Sequence, residues 1–400
     1  MLFSGLVGGL GLFLMGIKIM SDSLTKSTGD QIRGLLARLT HNRFMAFFIG
    51  IFTTMVFQSS SATTVMLVSF VNSRLIKFAN TVAVILGAAI GATLTVQIIA
   101  FRLTDYALLV IALGFLGYIA SARQKPRGIS TSVIGFGILF LGMKLMSQTM
   151  EPLKSSETIT GLLLRLENPV IGILAGALLT ALIQSSSAFI GILIILAGQG
   201  LISLPASIPL LVGANIGTAI TAILASLGTS RESKQVALAH TLFKIIGALI
   251  IIWWIPSFVK LIVSISPAGH HPASGNPFDM VPRQIANAHT VFNTLIALIL
   301  LPFTKSYARL IGRIIPVREE KHVSLTAWYL DESLFHTPAL ALRVARQEVL
   351  RMMEIAQRMT EEIIVPFMER KEEMLPRILE REQEIDFLRD AISNYLVRVI

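Results

Sequence analysis

Long apolar runs dominate the chain. They lie near residues 2–20, 78–101, 105–121, 129–147, 204–227, 236–256 and 284–303. Each approaches the roughly 20 residues that cross a bilayer as a helix. The pattern predicts an all-α, polytopic membrane protein. Two further apolar stretches carry polar residues at their centres, "TTMVFQSSSATTVML" at 53–67 and "LTALIQSSSAFIGIL" at 179–193. Around the first motif, residues 44–57 and 62–73 form helices of about 21 and 18 Å at 1.5 Å per residue. Neither crosses a core of about 30 Å. Such a segment is expected to enter, turn at QSSS and leave on the side it came from, buried in protein or against a cavity. Beyond residue 315 the pattern changes. Leu342, Ala345, Val349, Met352, Ala356, Met359 and Ile363 recur at helical spacing among charges. This predicts an amphipathic soluble helix from near Pro338 to near Pro366, with Glu348, Glu354, Glu361 and Glu362 on a solvated face, and a second from about Leu375. The chain stops at Ile400 with no cap or turn signal, so the soluble part reads as truncated.

The two QSSS motifs belong to a duplication. Gln184 follows Gln58 by 126 residues, and the same offset lays "GLFLMGIKIMS" (11–21) over "GILFLGMKLMS" (137–147) and "GAAIGATLT" (87–95) over "GANIGTAIT" (213–221). A smaller echo, at an offset of 49, pairs "QVALAHTLFK" (235–244) with "QIANAHTVFN" (284–293). Charge decides the relative orientation of the two halves. Loop 21–43 and "NSRLIK" are basic, whereas their counterparts, 148–169 and "GQGLIS", are not. The positive-inside rule therefore puts them on opposite sides. The expected architecture is two inverted repeats with opposed re-entrant hairpins and broken helices, seven crossings, an outside N-terminus and a cytoplasmic helical domain. The expected divisions are 1–126, 127–256, 257–315 (an outer loop, the last span and a basic linker) and 316–400.

Composition agrees with a membrane protein, at 53% hydrophobic and 14% charged residues. The net charge of +10 reads as basic cytoplasmic loops, not as a nucleic-acid surface. Lys18 ends a first run that lacks a small-residue cleavage site, so this run is a retained span. The chain has no cysteine, which excludes disulfides and thiolate metal sites.

Two hairpins entering from opposite faces bring both QSSS turns to the midplane. The helices that follow direct their free N–H groups and partial positive charge into one cavity, an anion site. The hydroxyls of Ser59, Ser60, Ser61, Ser185, Ser186 and Ser187 can donate to an oxyanion or turn lone pairs to a cation. Ser60 and Ser186 are expected to face the cavity. The glutamines and helix-break carbonyls suit Na+. The glycine pairs of GAAIGA and GANIGT read either as a packing face or as unwound helix beside the substrate, with Asn215, Thr218 and Thr221 offering oxygens and Thr93 and Thr95 contributing less. Lys18 and Lys144 read as snorkelling residues. His240 and His289 read as packing or hydrogen-bonding groups, with proton coupling through the pair as the alternative. The deep spans hold no Asp or Glu, which argues against a cation substrate and against a carboxylate proton relay.

The paired "QSSSATT" and "QSSSA", the GA(N)IGT segments and "AHTxFN" resemble the type II sodium–phosphate cotransporter family. The tail "LDESLFHTPALALRVARQEVLRM" resembles the PhoU-like domain fused to bacterial members. The resemblance implies Na+-driven phosphate uptake by elevator-like alternating access, with no catalytic residue and no cofactor beyond Na+ as coupling ion. It assigns phosphate to the six serines with Thr63 and Thr64. Sodium falls to Gln58, Gln184, Asn215, Thr218, Thr54 and Thr180. Ala89 and Ala92 depart from the family pattern in the first copy. Another oxyanion (sulfate, arsenate, a carboxylate) and a regulatory membrane protein with a transporter-like core remain open alternatives. The expected partners are phosphate, Na+ and the bilayer of a plasma or inner membrane, with a homodimer as the assembly to test.

Overall fold

The computed structural model describes residues 2–37, 42–73, 75–101, 103–150, 161, 163, 165–266, 280–316, 326–369 and 375–399. Parts of the loops expected over 148–169 and 257–283, and the start of the domain expected at 316, lie outside them. The chain divides into two compact units, Met1–Val317 and Arg318–Ile400. Among the described residues all regular structure is helical. Among the described residues seven helical stretches are long and apolar enough to span a membrane: Ser4–Thr28, Phe78–Ile99, Leu103–Ala120, Gln124–Met150, Leu204–Ala225, Arg231–Ile252 and Val281–Ile314. They coincide with the seven apolar runs, and the chain is a multi-pass membrane protein.

The first unit begins with α1 (Leu2–Ala37), α2 (Arg43–Phe57), α3 (Ser60–Asn72), α4 (Phe78–Gly91), α5 (Thr93–Ile99) and α6 (Ala107–Ala120). A second series follows: α7 (Gln124–Met150), α8 (Pro169–Ile183), α9 (Ser186–Gly198), α10 (Leu204–Gly217) and α11 (Ala219–Ala225). The unit closes with α12 (Arg231–Ile252), α13 (Ile255–Ile265), α14 (Val281–Leu300) and α15 (Thr304–Ile314). The basic segment expected as a loop from residue 21 is helical as far as Ala37, because no proline interrupts it.

Small residues set the packing. On α1, a methyl group at Gly9 would meet the carbonyl oxygen of Gly142, and one at Gly16 that of Gly135. Ascending numbers on α1 thus meet descending numbers on α7, so the two helices run antiparallel. The pairs are reciprocal, because Gly9 and Gly16 are the counterparts of Gly135 and Gly142 at the offset of 126. Close approach of this kind is how small residues hold apolar helices together. In contrast, α2 lies parallel to α4. Added methyls at Gly50 and Gly87 would meet the carbonyl oxygens of Val84 and Phe47, and one at Gly91 that of Ile51. The same arrangement recurs between α8 and α10 through Gly176, Gly213 and Gly217. The glycines of GAAIGA and GANIGT are therefore a packing face in both copies.

Because α3 returns to α4 through only residues 73–77, both ends of the α2–α3 hairpin lie at the level where α4 begins. The helices α2 and α3 hold 15 and 13 residues, or about 22 and 20 Å at 1.5 Å per residue. One face of the first hairpin is apolar and exposed at Phe44, Phe48 and Phe52, and one face of the second at Leu174, Leu178 and Leu182. That i, i+4 spacing makes a stripe suited to lipid.

The second unit is held by α16 (Pro338–Glu369) packed on α17 (Leu375–Val399). Ala341, Ala345 and Tyr395 form its small core. The helix α16 does not stop near Pro366 but passes through it to Glu369. Glu348, expected on a solvated face, is fully buried. Its carboxylate accepts from the Tyr329 backbone N–H at 2.7 Å and from Arg351 at 2.8 Å. Arg351 also pairs with Glu384. The charge is tolerated inside because it is paired and hydrogen-bonded.

Candidate functional site

Each QSSS motif folds as a two-residue joint. Gln58 ends α2 at φ 53°, ψ 22°, and Gln184 ends α8 at φ 59°, ψ 20°. These are the only non-glycine residues with positive φ among those described. Left-handed backbone costs an L-residue about 1–2 kcal/mol, and such strain gathers at functional sites. In both joints the glutamine N–H donates to a threonine carbonyl four residues back, Thr54 or Thr180, at 2.7 Å. The next residue is extended, with Ser59 at φ −148° and Ser185 at φ −147°. Its hydroxyl accepts from the N–H of Ala62 (3.1 Å) or Ala188 (3.2 Å). Ser60, Ser61, Ser186 and Ser187, expected in the turn, instead form the first helical turn of α3 and α9. The serine cap takes the third N–H of each helix. The N–H groups of Ser60 and Ser61, and of Ser186 and Ser187, have no intrahelical acceptor.

Ser60, Ser186 and Ser187 are buried, whereas Ser59, Ser61 and Ser185 are half-buried. Gln58 is half-buried with its Oε1 unpartnered, and Gln184 is exposed. The two hairpins differ in how their hydroxyls are used. In the first, Thr54 and Thr63 share a 2.9 Å hydrogen bond, and the Thr64 hydroxyl bonds the Ser60 carbonyl at 2.9 Å and His240 Nδ1 at 3.1 Å. In the second, Phe189 and Ile190 stand at the corresponding positions. The Thr180 hydroxyl is buried without a partner, and so are Gln58 Oε1, His240 Nε2 and His289 Nδ1. Buried polar atoms left unpaired are uncommon and point to water, an ion or a ligand.

The repeats interlock around these joints. From the first, α3 packs on α11 and α12; from the second, α9 packs on α5 and α14. Ser230 N–H donates to Asn72 Oδ1 at 2.9 Å, and Ser233 donates to the Val68 carbonyl at 3.1 Å. With Thr64–His240 these contacts run α12 antiparallel to α3, from its C-terminal end to its serine turn. Gln97 on α5 donates to Asn287 (3.2 Å) and Thr290 (2.8 Å) on α14.

The helix break expected at GANIGT is only a kink. Residues 92 and 218 keep right-handed helical angles, with φ −64° in each case, so the backbone is not unwound. Thr218 and Thr221 spend their hydroxyls on the carbonyls of Asn215 (2.7 Å) and Thr218 (2.9 Å), and Thr93 does the same with Ile90 (2.8 Å). Asn215 turns outward from this local network. Its Oδ1 accepts from Lys244 Nζ at 3.1 Å, and Asn293 Oδ1 accepts from the same Nζ at 3.2 Å. All three residues are buried. Lys244 and Asn293 are not among the residues that the sequence motifs mark as a site. The signal was there in the 49-residue echo, which lays one over the other at the ends of "AHTLFK" and "AHTVFN". Among the described residues no group of three His, Asp or Glu side chains could hold a metal.

Comparison with known proteins adds a family. The Na+/Pi-cotransporter family matches at residues 12–148 and again at 141–265. "Uncharacterized protein YqeW" of Bacillus subtilis is 31% identical over 256 residues, 64% of this chain and 83% of that protein. "Putative inorganic phosphate export protein YjbB" of Escherichia coli K12 is 28% identical over 397 residues, 98% of this chain and 70% of the relative. Bovine "Sodium-dependent phosphate transport protein 2B" is 43% identical over 100 residues, 24% of this chain and 14% of that protein. No solved structure is significantly similar.

Proposed function

Because the chain belongs to the Na+/Pi-cotransporter family, we propose that it couples Na+ entry to uptake of inorganic phosphate, at one midplane site built from both QSSS joints. The observation that carries this reading is the matched pair of joints. Each holds a glutamine in left-handed backbone, then an extended serine cap, then a helix whose first two N–H groups await an acceptor. A phosphate oxygen is the acceptor that helix N-termini favour, and the hydroxyls of Ser60, Ser61, Ser186 and Ser187 add donors beside them. Ser59, Ser185, Thr63 and Thr64 shape the phosphate side. Gln58, Gln184, Thr54, Thr180 and Thr218 supply neutral oxygens for Na+, whereas the Asn215 oxygen expected to join them already accepts from Lys244. The antiparallel, reciprocal packing of α1 on α7 supports inverted repeats, and the parallel packing of α2 on α4 supports a hairpin that re-enters. Alternating access then carries the hairpins across the bilayer in elevator fashion.

Orientation follows from charge. The ends of the first unit near Arg43, Lys77, Arg231, Lys234, Lys305 and Arg309 face the cytoplasm, and the second unit lies there as a PhoU-like helical domain. A cysteine at Ser230 then reacts with an impermeant reagent only from inside, and one at Gln199 only from outside. The opposite pattern at either position refutes the orientation.

Labelled phosphate accumulation in proteoliposomes tests the function. A Na+ gradient should drive accumulation, a K+ gradient should not, and excess sulfate or succinate should leave it unchanged. Loss of the signal to sulfate or succinate would move the substrate to another oxyanion. A second reading, export, is favoured by the name of the Escherichia coli relative, which matches 98% of this chain. Cells expressing the chain separate the two: uptake raises internal phosphate, and export lowers it.

A further inference from the structure

Lys244 lies inside an apolar span, and among the described residues no carboxylate pairs with it. Its partners are two amide oxygens, both aimed by the backbone. Asn215 Nδ2 donates to the Leu211 carbonyl at 3.1 Å, and Asn293 Nδ2 donates to the His289 carbonyl at 2.9 Å. With each NH2 group fixed to its own helix, each Oδ1 turns to the point where Lys244 Nζ sits. Two converging carbonyl-type oxygens with their donors turned away form a cation site. Here the cation is the chain's own.

The repeats show what has been exchanged. Asn293 occupies in α14 the position that Lys244 occupies in α12, and Asn215 occupies in α10 the position that Ala89 occupies in α4. One member of each pair carries an amide and the other does not: one place holds a methyl group and the other a side chain ending in an ammonium nitrogen. We propose that Lys244 Nζ is a tethered cation occupying the oxygens of Asn215 and Asn293 where a coupling Na+ would otherwise bind, so that no Na+ binds there. This rests on the sodium-coupled reading above. Lysine carries three donors and no acceptor, so it satisfies the two oxygens as a bound ion does and cannot leave with the substrate.

The test is the number of Na+ ions bound by the purified full chain, read by equilibrium binding of radioactive sodium and by the Na+ dependence of its thermal stability. Neither readout requires transport. For Lys244→Asn the bound count should rise by one, and the dependence of stability on Na+ concentration should steepen by about one ion. Phosphate affinity at saturating Na+ should stay at the wild-type value. An unchanged count overturns the proposal. So does a collapse of phosphate affinity at saturating Na+ with the count unchanged, which would make the lysine a counter-charge for phosphate. Lys244→Cys gives an independent arm, because the chain has no other cysteine. That variant should also gain one ion, and aminoethylation of the thiol, which restores a tethered ammonium, should remove it. Failure of the cotransport reading looks different: wild-type protein would then move phosphate without any Na+ dependence, whatever the variants bind.

Discussion

The two QSSS hairpins share a backbone and differ in chemistry. Their joints agree within a few degrees, at φ 53° against 59° for the glutamines and −148° against −147° for the serines. Around the first, Thr63 and Thr64 use up the hydroxyl of Thr54 and one nitrogen of His240. Around the second, Phe189 and Ile190 offer no hydroxyl and that of Thr180 is unpaired, and Asn215 rather than alanine accepts from Lys244. The duplicated backbone thus gives both joints the same free N–H groups, whereas the side chains around them differ. An anion held by N–H groups needs only geometry, which duplication preserves. A cation held by neutral oxygens needs particular side chains, and those have diverged.

The comparison can be broken most severely at the contacts that build both hairpins. Gly50→Val and Gly176→Val each push a side chain into the backbone of the neighbouring helix. Each should cost more than about 3 kcal/mol, enough to remove folded protein from detergent extracts measured by size-exclusion chromatography. Survival of one variant and loss of the other would show that the hairpins are not equivalent in packing.

Next come the serines. Ser60→Ala and Ser186→Ala each remove a hydrogen bond to a charged ligand, about 1.5–3 kcal/mol, or roughly a 10- to 150-fold rise in phosphate KM. The effects should be alike in the two copies. Wild-type KM with lower yield would make the serines helix glue.

A smaller effect should differ in sign between copies. Thr54→Val loses a bonded hydroxyl and should destabilise by about 0.5–1.5 kcal/mol. Thr180→Val removes an unpaired buried hydroxyl, so stability in Na+-free buffer should hold or rise. Its apparent Na+ affinity in transport should fall if that oxygen is a ligand. Equal destabilisation of the two variants would contradict the asymmetry. The smallest change is expected from Gln58→Gly and Gln184→Gly, which relieve left-handed strain and should stabilise by at most about 1 kcal/mol. Thermal unfolding measures this, and a large loss of stability would show that the glutamine side chains hold the joints.

Much of this was legible in the sequence. Apolar runs gave the seven candidate spans, because length and hydropathy alone decide them. The motif's two short flanking helices were visible from the same counting. The duplication showed which positions to compare, and so exposed Ala89 and Ala92 in advance. Other features were not legible. Pattern alone did not separate a kink at Ala92 and Thr218 from an unwound segment, because threonine hydroxyls that bond their own backbone leave no trace in hydropathy. Nor did the sequence show that only Gln58 and Ser59 leave the helix, since a serine serves equally as a cap or as a first-turn residue. Glu348 looked solvated because helical spacing says nothing of the loop residue, Tyr329, whose N–H it accepts. Lys244 sat in plain view in the echo, but its meaning depends on two amides brought to it from α10 and α14.

The most direct test of a shared site uses the chain's lack of cysteine. Ser60→Cys and Ser186→Cys are labelled separately with a small thiol reagent, with and without phosphate and Na+. If both joints line one phosphate site, phosphate slows labelling at both positions, and only when Na+ is present. Protection at one position alone, or at neither, would contradict a single site built from both repeats.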